Sequence, residues 1–301
     1  MLPCAQSKGG EIISSLVYHA GALGDFLTAL PAMAVWRRLH PGEHCILFGR
    51  PAHAALALPR FDEVWNVDDA RWAPFFSSSP VRRPDAIPSS LSSALLFASS
   101  GSPLARNLSS WGVREVVRQA PFPDSPQPIV DYHLSIFPPA VLEDHDAQPR
   151  ISLDGGEIEP GDLGVAALHP GSGSPSKNWP VAEFKELARR LTLSGMRVVW
   201  IRGPAEPPDA APRGERVWDC LPLAVLAARL SRAAIYVGND SGVTHLAAAA
   251  GCPTVALFGA SDARTWAPRG RAVRVLVSPN VMHDISVEDS VEACRYFLSV
   301  E

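Results

Sequence analysis

Residues 237–259, VGNDSGVTHLAAAAGCPTVALFG, predict a buried strand, a short polar turn, a helix and a second strand. The apolar run before the turn is typical of a strand that is covered on both faces. Asp240 or Ser241 is a suitable N-cap for a helix over residues 243–250. Gly251, followed closely by a proline, is typical of a helix end. The first turn of such a helix carries unpaired N–H groups and the positive end of the dipole, so it is suited to binding a phosphate.

Two interpretations of this polar turn remain open at the level of the sequence. Ser241 and His245 are four residues apart and therefore share one helical face. In the first interpretation, these polar groups bind a ligand at the helix N-terminus. In the second, Asp240 only caps the helix and His245 is a buried histidine of the core.

Composition limits the class of protein. The chain has 301 residues, 47% of them hydrophobic and 19% charged, which predicts about two globular domains. A net charge of −4 without a basic run argues against a nucleic-acid partner. The five cysteines show no C-x-x-C spacing, which argues against zinc and against a disulfide framework. The N-terminal segment has too short an apolar run for a signal peptide or a membrane span, so we expect a soluble, cytoplasmic protein.

The chain begins the same structural plan twice, as a strand, a glycine-containing loop and a helix. Residues 11–39 and residues 165–201 each follow it, and Pro31 predicts a kink or a late start of the first helix. The runs HCILFG, EVWNV, SALLFAS and VREVVRQ predict further buried strands. This pattern indicates an α/β protein with two Rossmann-like domains that enclose a cleft, where ligands bind at the carboxyl ends of the strands.

We predict an N-terminal Rossmann-like domain over residues 1–150, a second Rossmann-like domain over 151–285 and a C-terminal helix over 286–301 that packs back on the N-terminal domain. Residues 147–164 lack periodicity and are interpreted as the interdomain linker. The serine- and proline-rich residues 76–103 predict a long surface loop, which is either a passive insertion or a mobile flap on the acceptor side.

Three loops carry candidate chemistry. The loop HPGSGSPSKNWP, residues 169–180, combines glycines, hydroxyls and one cation, which are the parts of a phosphate-binding loop, although the glycines alone also fit an ordinary turn. It matches neither the Walker A motif nor the complete dinucleotide fingerprint. In the first half, Asp25 is suited to accept a proton from a hydroxyl, or to cap the helix. The D-x-D pattern at Asp144 and Asp146 lies among prolines, which favours a solvated linker over a metal site.

Five motifs, in this order and at fitting intervals, resemble those of the heptosyltransferase family, which is family 9 of the glycosyltransferases. They are GALGDFLTALPAM, HPGSGSPSKNWPVAEFKELA, GPAE, GNDSGVTHLAAAAGCPTVALFG and SDARTWAP. The resemblance implies the GT-B fold, in which two Rossmann-like domains face each other across a cleft. It makes residues 1–150 the acceptor-binding domain and residues 151–285 the nucleotide-sugar-binding domain. It also implies an inverting, metal-independent enzyme without a cofactor, which moves a sugar, expected to be heptose from ADP-heptose, to a glycan or lipopolysaccharide-type acceptor.

The resemblance implies a role for each matching residue. Asp25 matches the catalytic general base, Glu206 matches the acid that binds the ribose of the donor, and Trp179 and Pro180 match packing residues behind the loop. The implied donor-binding residues are Ser172, Ser174, Ser176, Lys177, Glu206, Asp240, Ser241, Gly242 and His245. The implied acceptor-side loop contains His19, Gly21 and Gly24, with His19 at a position that is usually basic in the family.

Two other functions remain open, a non-catalytic nucleotide-sugar-binding protein and a GT-B-like nucleotide-sugar epimerase. An NAD-dependent enzyme is disfavoured by the incomplete fingerprint. The expected partners are a nucleotide-sugar donor and a glycan or lipid-linked acceptor. We expect a monomer in the cytoplasm, and association with the cytoplasmic face of the inner membrane stays open.

Overall fold

The computed structural model describes residues 12–57, 60–204, 206, 211–278 and 281–298. The chain divides into two compact units, which we call the first and the second unit. The first contains Met1–Asp124 and Val130–Ala147, and the second contains Ser125–Ile129 and Gln148–Glu301. The main division, after Ala147, lies close to the predicted one after residue 150.

In the described residues, the first unit holds one parallel sheet of five strands in the order β3-β2-β1-β4-β5. The strands are β1 (Ser14–His19), β2 (His44–Gly49), β3 (Glu63–Asn66), β4 (Leu91–Phe97) and β5 (Glu115–Gln119). The helices of this part of the chain are α1 (Leu23–Leu39), α2 (Pro51–Ala54), α3 (Leu104–Ser110), α4 (Ile129–Leu134) and α5 (Pro139–Leu142).

Local signals predicted most of these elements. The loop expected over residues 76–103 was wrong in extent, and of the two effects expected from Pro31 the late start is excluded. The predicted loop over residues 76–103 contains β4, which pairs with β1 on one side and β5 on the other. Its apolar side chains are buried by these neighbours despite the flanking serines and prolines, so the irregular parts are residues 77–90 and 98–103. Helix α1 begins at Leu23 and continues through Pro31, which excludes the late start.

The second unit holds a parallel sheet that has six strands in the described residues, in the order β11-β10-β9-β6-β7-β8. The strands are β6 (Ala166–His169), β7 (Val198–Arg202), β8 (Val217–Asp219), β9 (Ile235–Asn239), β10 (Thr254–Phe258) and β11 (Val273–Val277). The helices are α6 (Val181–Leu193), α7 (Leu223–Leu230), α8 (Gly242–Ala249), α9 (Ala263–Trp266) and α10 (Val287–Leu298). The predicted α/β class is confirmed.

The strand order of each sheet reverses once, beside the first strand of the unit. In the second unit β6 and β9 are neighbours, with His169 paired to Gly238. In the first unit β1 and β4 are neighbours in the same way. Because the chain leaves two such parallel strands in opposite directions, a crevice opens at their carboxyl ends, and ligands of α/β proteins bind there.

The C-terminal helix α10 belongs to the core of the second unit. Its apolar face, including Val291 and Cys294, is buried in the cluster that also contains Phe184 and Leu187 of α6. Amphipathic spacing predicts that a helix will cover a core, but it does not say which core. The sequence led us to expect that α10 packs on the N-terminal domain, whereas its apolar face is buried in the core of the second unit.

The segment that we interpreted as an interdomain linker, residues 147–164, is also built into the second unit. The carboxylate of Asp162 is fully buried, and it contacts Arg216 at 2.7 Å and Arg229 at 2.8 Å. The indole N–H of Trp218 donates a hydrogen bond to the same carboxylate, at 2.8 Å. Buried charges require such partners, so this part of the segment is anchored and does not act as a flexible linker.

Two further expectations concern cysteines and membranes. The described cysteines, Cys45, Cys220, Cys252 and Cys294, are free thiols, and Cys4 lies outside the described residues. Within the described part of the chain, every helix is too short or too polar to cross a bilayer.

Three buried histidines surround the end of β1 in the first unit. The ring of Phe26 contacts those of His19 and His53, with centroid distances of 5.4 and 5.1 Å. The ring of Phe97 contacts those of His19 and His133, at 5.5 and 5.2 Å. Burial lowers the pKa of His19 to about 3, and it lowers the pKa of His53 and of His133 to about 4. All three imidazoles are therefore neutral in the folded protein at neutral pH.

We predict that the free energy of unfolding decreases as the pH falls from 6.5 toward 4. Histidines of the unfolded chain bind protons in this window, whereas the buried imidazoles of the folded chain do not. Each contributes a slope of about 1.4 kcal/mol per pH unit. His133→Phe should reduce the total slope by about this amount, measured by urea unfolding at about pH 7 and about pH 5. The exposed His283→Phe is the matched control and should keep the wild-type slope; an unchanged slope in His133→Phe would contradict the interpretation.

Candidate functional site

The candidate site of the second unit begins with the N-terminus of α8. The predicted helix is confirmed and starts at Gly242, one residue earlier than expected. Ser241 is its N-cap, and the Ser241 hydroxyl accepts a hydrogen bond from the backbone N–H of Thr244, at 3.4 Å. The helix therefore points its positive end toward the crevice beside β6 and β9.

A buried amide ties the loop after β6 to the end of β9. The side-chain amide of Asn239 donates to the carbonyl of Pro170 at 2.7 Å, and its oxygen accepts from the backbone N–H of Trp179 at 2.9 Å. These contacts hold both ends of the loop. The buried indole of Trp179 in turn donates to the carbonyl of Ile285, at 2.8 Å. Trp179 therefore packs behind the loop, in the position that the family resemblance implied.

The loop and the helix terminus meet in an ion pair. The Nζ atom of Lys177 lies 2.7 Å from Oδ2 of Asp240, which directly precedes the N-cap of α8. The hydroxyl of Ser261 donates to the same carboxylate oxygen, at 2.5 Å. The side chain of Asp240 is 9% exposed and that of Lys177 is 35% exposed. A cation that solvent reaches is thus held beside a helix N-terminus, which is the arrangement that favours binding of an anion.

His245 lies one turn into α8 and is buried. Burial lowers the pKa of His245 to about 4; the negative charge of Asp240 opposes this shift, and the positive charge of Lys177 adds to it. The imidazole is therefore neutral at neutral pH. Both interpretations of His245 describe part of its position, because it is a core histidine that also lies within electrostatic reach of the Lys177–Asp240 pair.

The three serines of the loop have different roles in the structure. The hydroxyl of Ser172 contacts the side-chain oxygen of Asn178 at 2.6 Å and the carbonyl of Ser174 at 2.7 Å. Ser172 therefore shapes the loop itself. The hydroxyls of Ser174 and Ser176 lie 3.0 Å from each other in an exposed part of the loop, where a ligand can reach them.

Glu206 lies against the start of the same loop. Its carboxylate accepts from the backbone N–H of Gly203, and it packs so closely on Gly171 that a side chain at position 171 would overlap it. Burial raises the pKa of Glu206, but interactions with His169 and with the Gly203 N–H outweigh it, so the pKa lies below its usual value. The side chain is therefore an ionised acceptor, as a partner for sugar hydroxyls must be.

A buried polar chain connects Glu206 with the cap of α8. His169 Nε2 lies 3.5 Å from Glu206, and His169 Nδ1 lies 3.4 Å from both the Ser241 hydroxyl and the Tyr236 hydroxyl. The Tyr236 hydroxyl lies 3.0 Å from that of Thr244. The two ends of the candidate site are therefore linked by side chains and not only by backbone.

Several residues of the site were absent from the sequence prediction. They are His169, Tyr236, Asn239 and Ser261. A usable signal exists for two of them, since Tyr236 and Asn239 are polar residues in a strand whose pattern indicates complete burial, and buried polar groups need partners. Ser261 is the first residue of the motif SDARTWAP, but nothing in the sequence indicates its contact with Asp240, which lies 21 residues away.

The residues expected on the acceptor side lie in the first unit, at the corresponding edge of its sheet. Asp25 is in the first turn of α1, where its carboxylate accepts from the backbone N–H of Ala22, at 3.2 Å. A Cβ atom on Gly21 would lie 2.9 Å from His19 and 3.1 Å from Asp25, so this position needs glycine. Gly24 belongs to α1 and not to the loop. The carboxylate of Asp25 thus caps the helix, as the capping interpretation expected, and its role as a proton acceptor stays a prediction.

The D-x-D pattern at Asp144 and Asp146 follows α5 in the first unit. Across the residues that the structure describes, no three or more His, Cys, Asp and Glu side chains are grouped so that they could hold a metal ion. The positive charge that the described second-unit site presents to a ligand comes from Lys177 and from the end of α8.

Comparisons with known proteins agree with the motifs. A family model described as "Glycosyltransferase family 9 (heptosyltransferase)" matches residues 107–294. Lipopolysaccharide heptosyltransferase 1 of Pseudomonas aeruginosa is 34% identical over 122 residues, which are 38% of this chain and 34% of that protein. Lipopolysaccharide heptosyltransferase 2 of Escherichia coli K12 is 31% identical over 132 residues, 39% of this chain and 37% of that protein. The matched region spans about a third of the length of these curated relatives.

Solved structures resemble the chain over nearly its whole length. A family 9 glycosyl transferase from Veillonella parvula has a TM-score of 0.75 at 16% identity, covering 96% of this chain and 98% of its own. The ADP-heptose lipopolysaccharide heptosyltransferase II of E. coli has a TM-score of 0.72 at 16% identity, covering 95% and 99%. The E. coli heptosyltransferase WaaC with ADP has a TM-score of 0.68 at 17% identity, covering 95% and 100%. The predicted GT-B fold is confirmed by these likenesses.

We predict that Asn239→Ala destabilises the second unit by about 3 kcal/mol, because it leaves the Pro170 carbonyl and the Trp179 N–H buried without their partner. Urea unfolding followed by tryptophan fluorescence measures the change. Ser176→Ala removes an exposed hydroxyl of the same loop and should change stability by less than about 0.5 kcal/mol. Equal effects of the two substitutions would contradict the role of Asn239.

Proposed function

Because the chain belongs to glycosyltransferase family 9, the heptosyltransferase family, we propose that it transfers heptose from ADP-heptose to a lipopolysaccharide-type acceptor. The observation that carries the proposal is the Lys177–Asp240 pair, at 2.7 Å, beside the N-terminus of α8. It provides a cation and a helix terminus for a diphosphate at the switch point of a parallel sheet. The names of the curated relatives and of the solved heptosyltransferases support heptose, ADP and lipopolysaccharide as the substrates.

The donor is assigned to the second unit. Lys177 and the first N–H groups of α8 bind the diphosphate, with the hydroxyls of Ser174 and Ser176 as additional donors. Glu206 accepts hydrogen bonds from the ribose, which its ionised state favours. Ser241 and Gly242 form the helix end, and His245 supports it from within the core. No cofactor is needed, since the chemistry is a displacement in which ADP leaves.

The acceptor is assigned to the first unit, with Asp25 as the general base. The acceptor hydroxyl oxygen attacks the anomeric carbon of the heptose from the face opposite ADP, which inverts the configuration. The bond between that carbon and the β-phosphate oxygen breaks, and the hydroxyl proton passes to the Asp25 carboxylate. Lys177 and the end of α8 stabilise the charge that grows on the leaving ADP, so the transfer is proposed to be metal-independent.

The acceptor also determines where the reaction is proposed to occur. A lipopolysaccharide-type acceptor is anchored in a membrane by its lipid, so we propose that the protein meets it from the cytoplasm, at the cytoplasmic face of the inner membrane. We further propose that the protein is a monomer. The acyl chains of the lipid are not part of the proposed site, which binds only the donor and the part of the glycan that carries the attacking hydroxyl.

We predict that Asp25→Asn lowers turnover by about 100- to 10,000-fold, because the amide cannot accept the hydroxyl proton. ADP binding should stay within about twofold, since Asp25 lies outside the second unit, and the amide oxygen still accepts the Ala22 N–H. The assay follows release of ADP and gain of one heptose on a heptose-deficient lipopolysaccharide acceptor by mass spectrometry.

The highly exposed Asp85→Asn is the matched control for Asp25→Asn and should retain wild-type turnover. Undiminished turnover by Asp25→Asn would remove Asp25 as the base. An altered sugar released without acceptor would instead indicate an epimerase. Donor binding without transfer to any acceptor would indicate a non-catalytic binding protein.

We predict that Lys177→Ala weakens ADP binding by roughly tenfold or more, because a charge-assisted contact to the diphosphate is lost. Isothermal titration calorimetry with ADP measures the dissociation constant. Lys185→Ala removes an exposed cation from α6 and should leave the constant unchanged. If Lys177→Ala binds ADP as tightly as the wild type, Lys177 does not bind the diphosphate.

A further inference from the structure

One carboxylate oxygen in the donor site has two donors from different parts of the chain. Oδ2 of Asp240 accepts from Lys177 in the loop after β6, at 2.7 Å, and from Ser261 in the turn after β10, at 2.5 Å. The carboxylate is nearly buried, and the neutral His245 beside it adds no compensating charge. Beside the nearby N-terminus of α8, these two contacts stabilise it as a charged group.

The turn that carries Ser261 is held at both ends. Gly259, directly after β10, packs against Met282 so closely that a side chain there would overlap it. Asp262 caps α9 by accepting from the backbone N–H of Arg264, at 3.0 Å. Ser261 lies between these two fixed residues, so its hydroxyl is positioned on Asp240 without the conformational freedom of a surface serine.

In the proposed donor site, a diphosphate competes with the Asp240 carboxylate for Lys177. When Lys177 turns to the phosphate oxygens, the carboxylate loses its cationic partner, and a buried carboxylate without a partner is strongly unfavourable. The Ser261 hydroxyl does not move with Lys177, because it belongs to another loop. It therefore continues to satisfy the carboxylate after the lysine has left.

We propose that Ser261 is a positioning residue of the donor site, which acts through Asp240 and allows Lys177 to exchange the carboxylate for the diphosphate of a nucleotide. This inference rests on the function proposed above. Ser261 is not assigned a contact with the nucleotide, since its single proton is donated to Asp240. The effect of removing its hydroxyl must accordingly disappear when Asp240 carries no charge.

The test measures the dissociation constant of ADP by calorimetry for the wild type and five variants. Ser261→Ala and Ser261→Val should each weaken ADP binding by about tenfold. Ser261→Thr, which has the shape of the valine variant but keeps the hydroxyl, should stay within about twofold of the wild type. Asp240→Asn and the double variant Asp240→Asn with Ser261→Ala should bind ADP with the same constant, within about twofold.

The outcomes separate this inference from the proposed function. If Ser261→Ala and Ser261→Val bind ADP as tightly as the wild type, the proposed role of Ser261 is overturned, whereas the proposed function is not. A tenfold loss that persists in the Asp240→Asn background, or that Ser261→Thr fails to restore, would show that Ser261 does not act through Asp240. Absence of ADP binding by the folded wild type would overturn both proposals. The two apolar variants serve as alternatives if one of them fails to fold.

Discussion

Strands β6 and β9 lie side by side and run in the same direction, and the position of the whole candidate donor site depends on this arrangement. The chain must leave the two strands toward opposite sides, so their carboxyl ends cannot be covered by a direct connection. Asn239 then draws the loop after β6 onto the end of β9. Lys177 and Asp240, which are 63 residues apart in sequence, meet only because of that combination.

The fold was predictable where the signal is local. The glycine-containing strand, loop and helix units, and the helix after Ser241, depend on residues that are neighbours in sequence. Strand β4 shows the limit, because its flanking serines and prolines indicate a loop, whereas its pairing with β1 and β5 buries it. The position of α10 shows another limit, since an amphipathic helix indicates that it covers a core but not which one.

The site was predictable as a set of residue types and less so as a set of contacts. Motif spacing singled out Lys177, Asp240 and Glu206 individually. It could not indicate that Lys177 pairs with Asp240, or that Glu206 rests on a glycine, because these contacts join segments from different strands. The contacts of the Ser172 hydroxyl inside the loop were equally beyond the sequence, and its expected donor-binding role stays a prediction.

In the candidate donor site, the carboxylate of Asp240 has a consequence for the choice among anions. It is a tethered anion that already lies against Lys177, next to the N-terminus of α8, so any arriving anion competes with it. A monovalent ion such as chloride brings no more charge than the carboxylate and has no tether, so it gains little by displacing it. A diphosphate brings more charge and several acceptor oxygens, and it spans the lysine and the helix end together. We therefore expect the candidate donor site to discriminate by the valence and the length of the anion, in addition to any recognition of sugar or base.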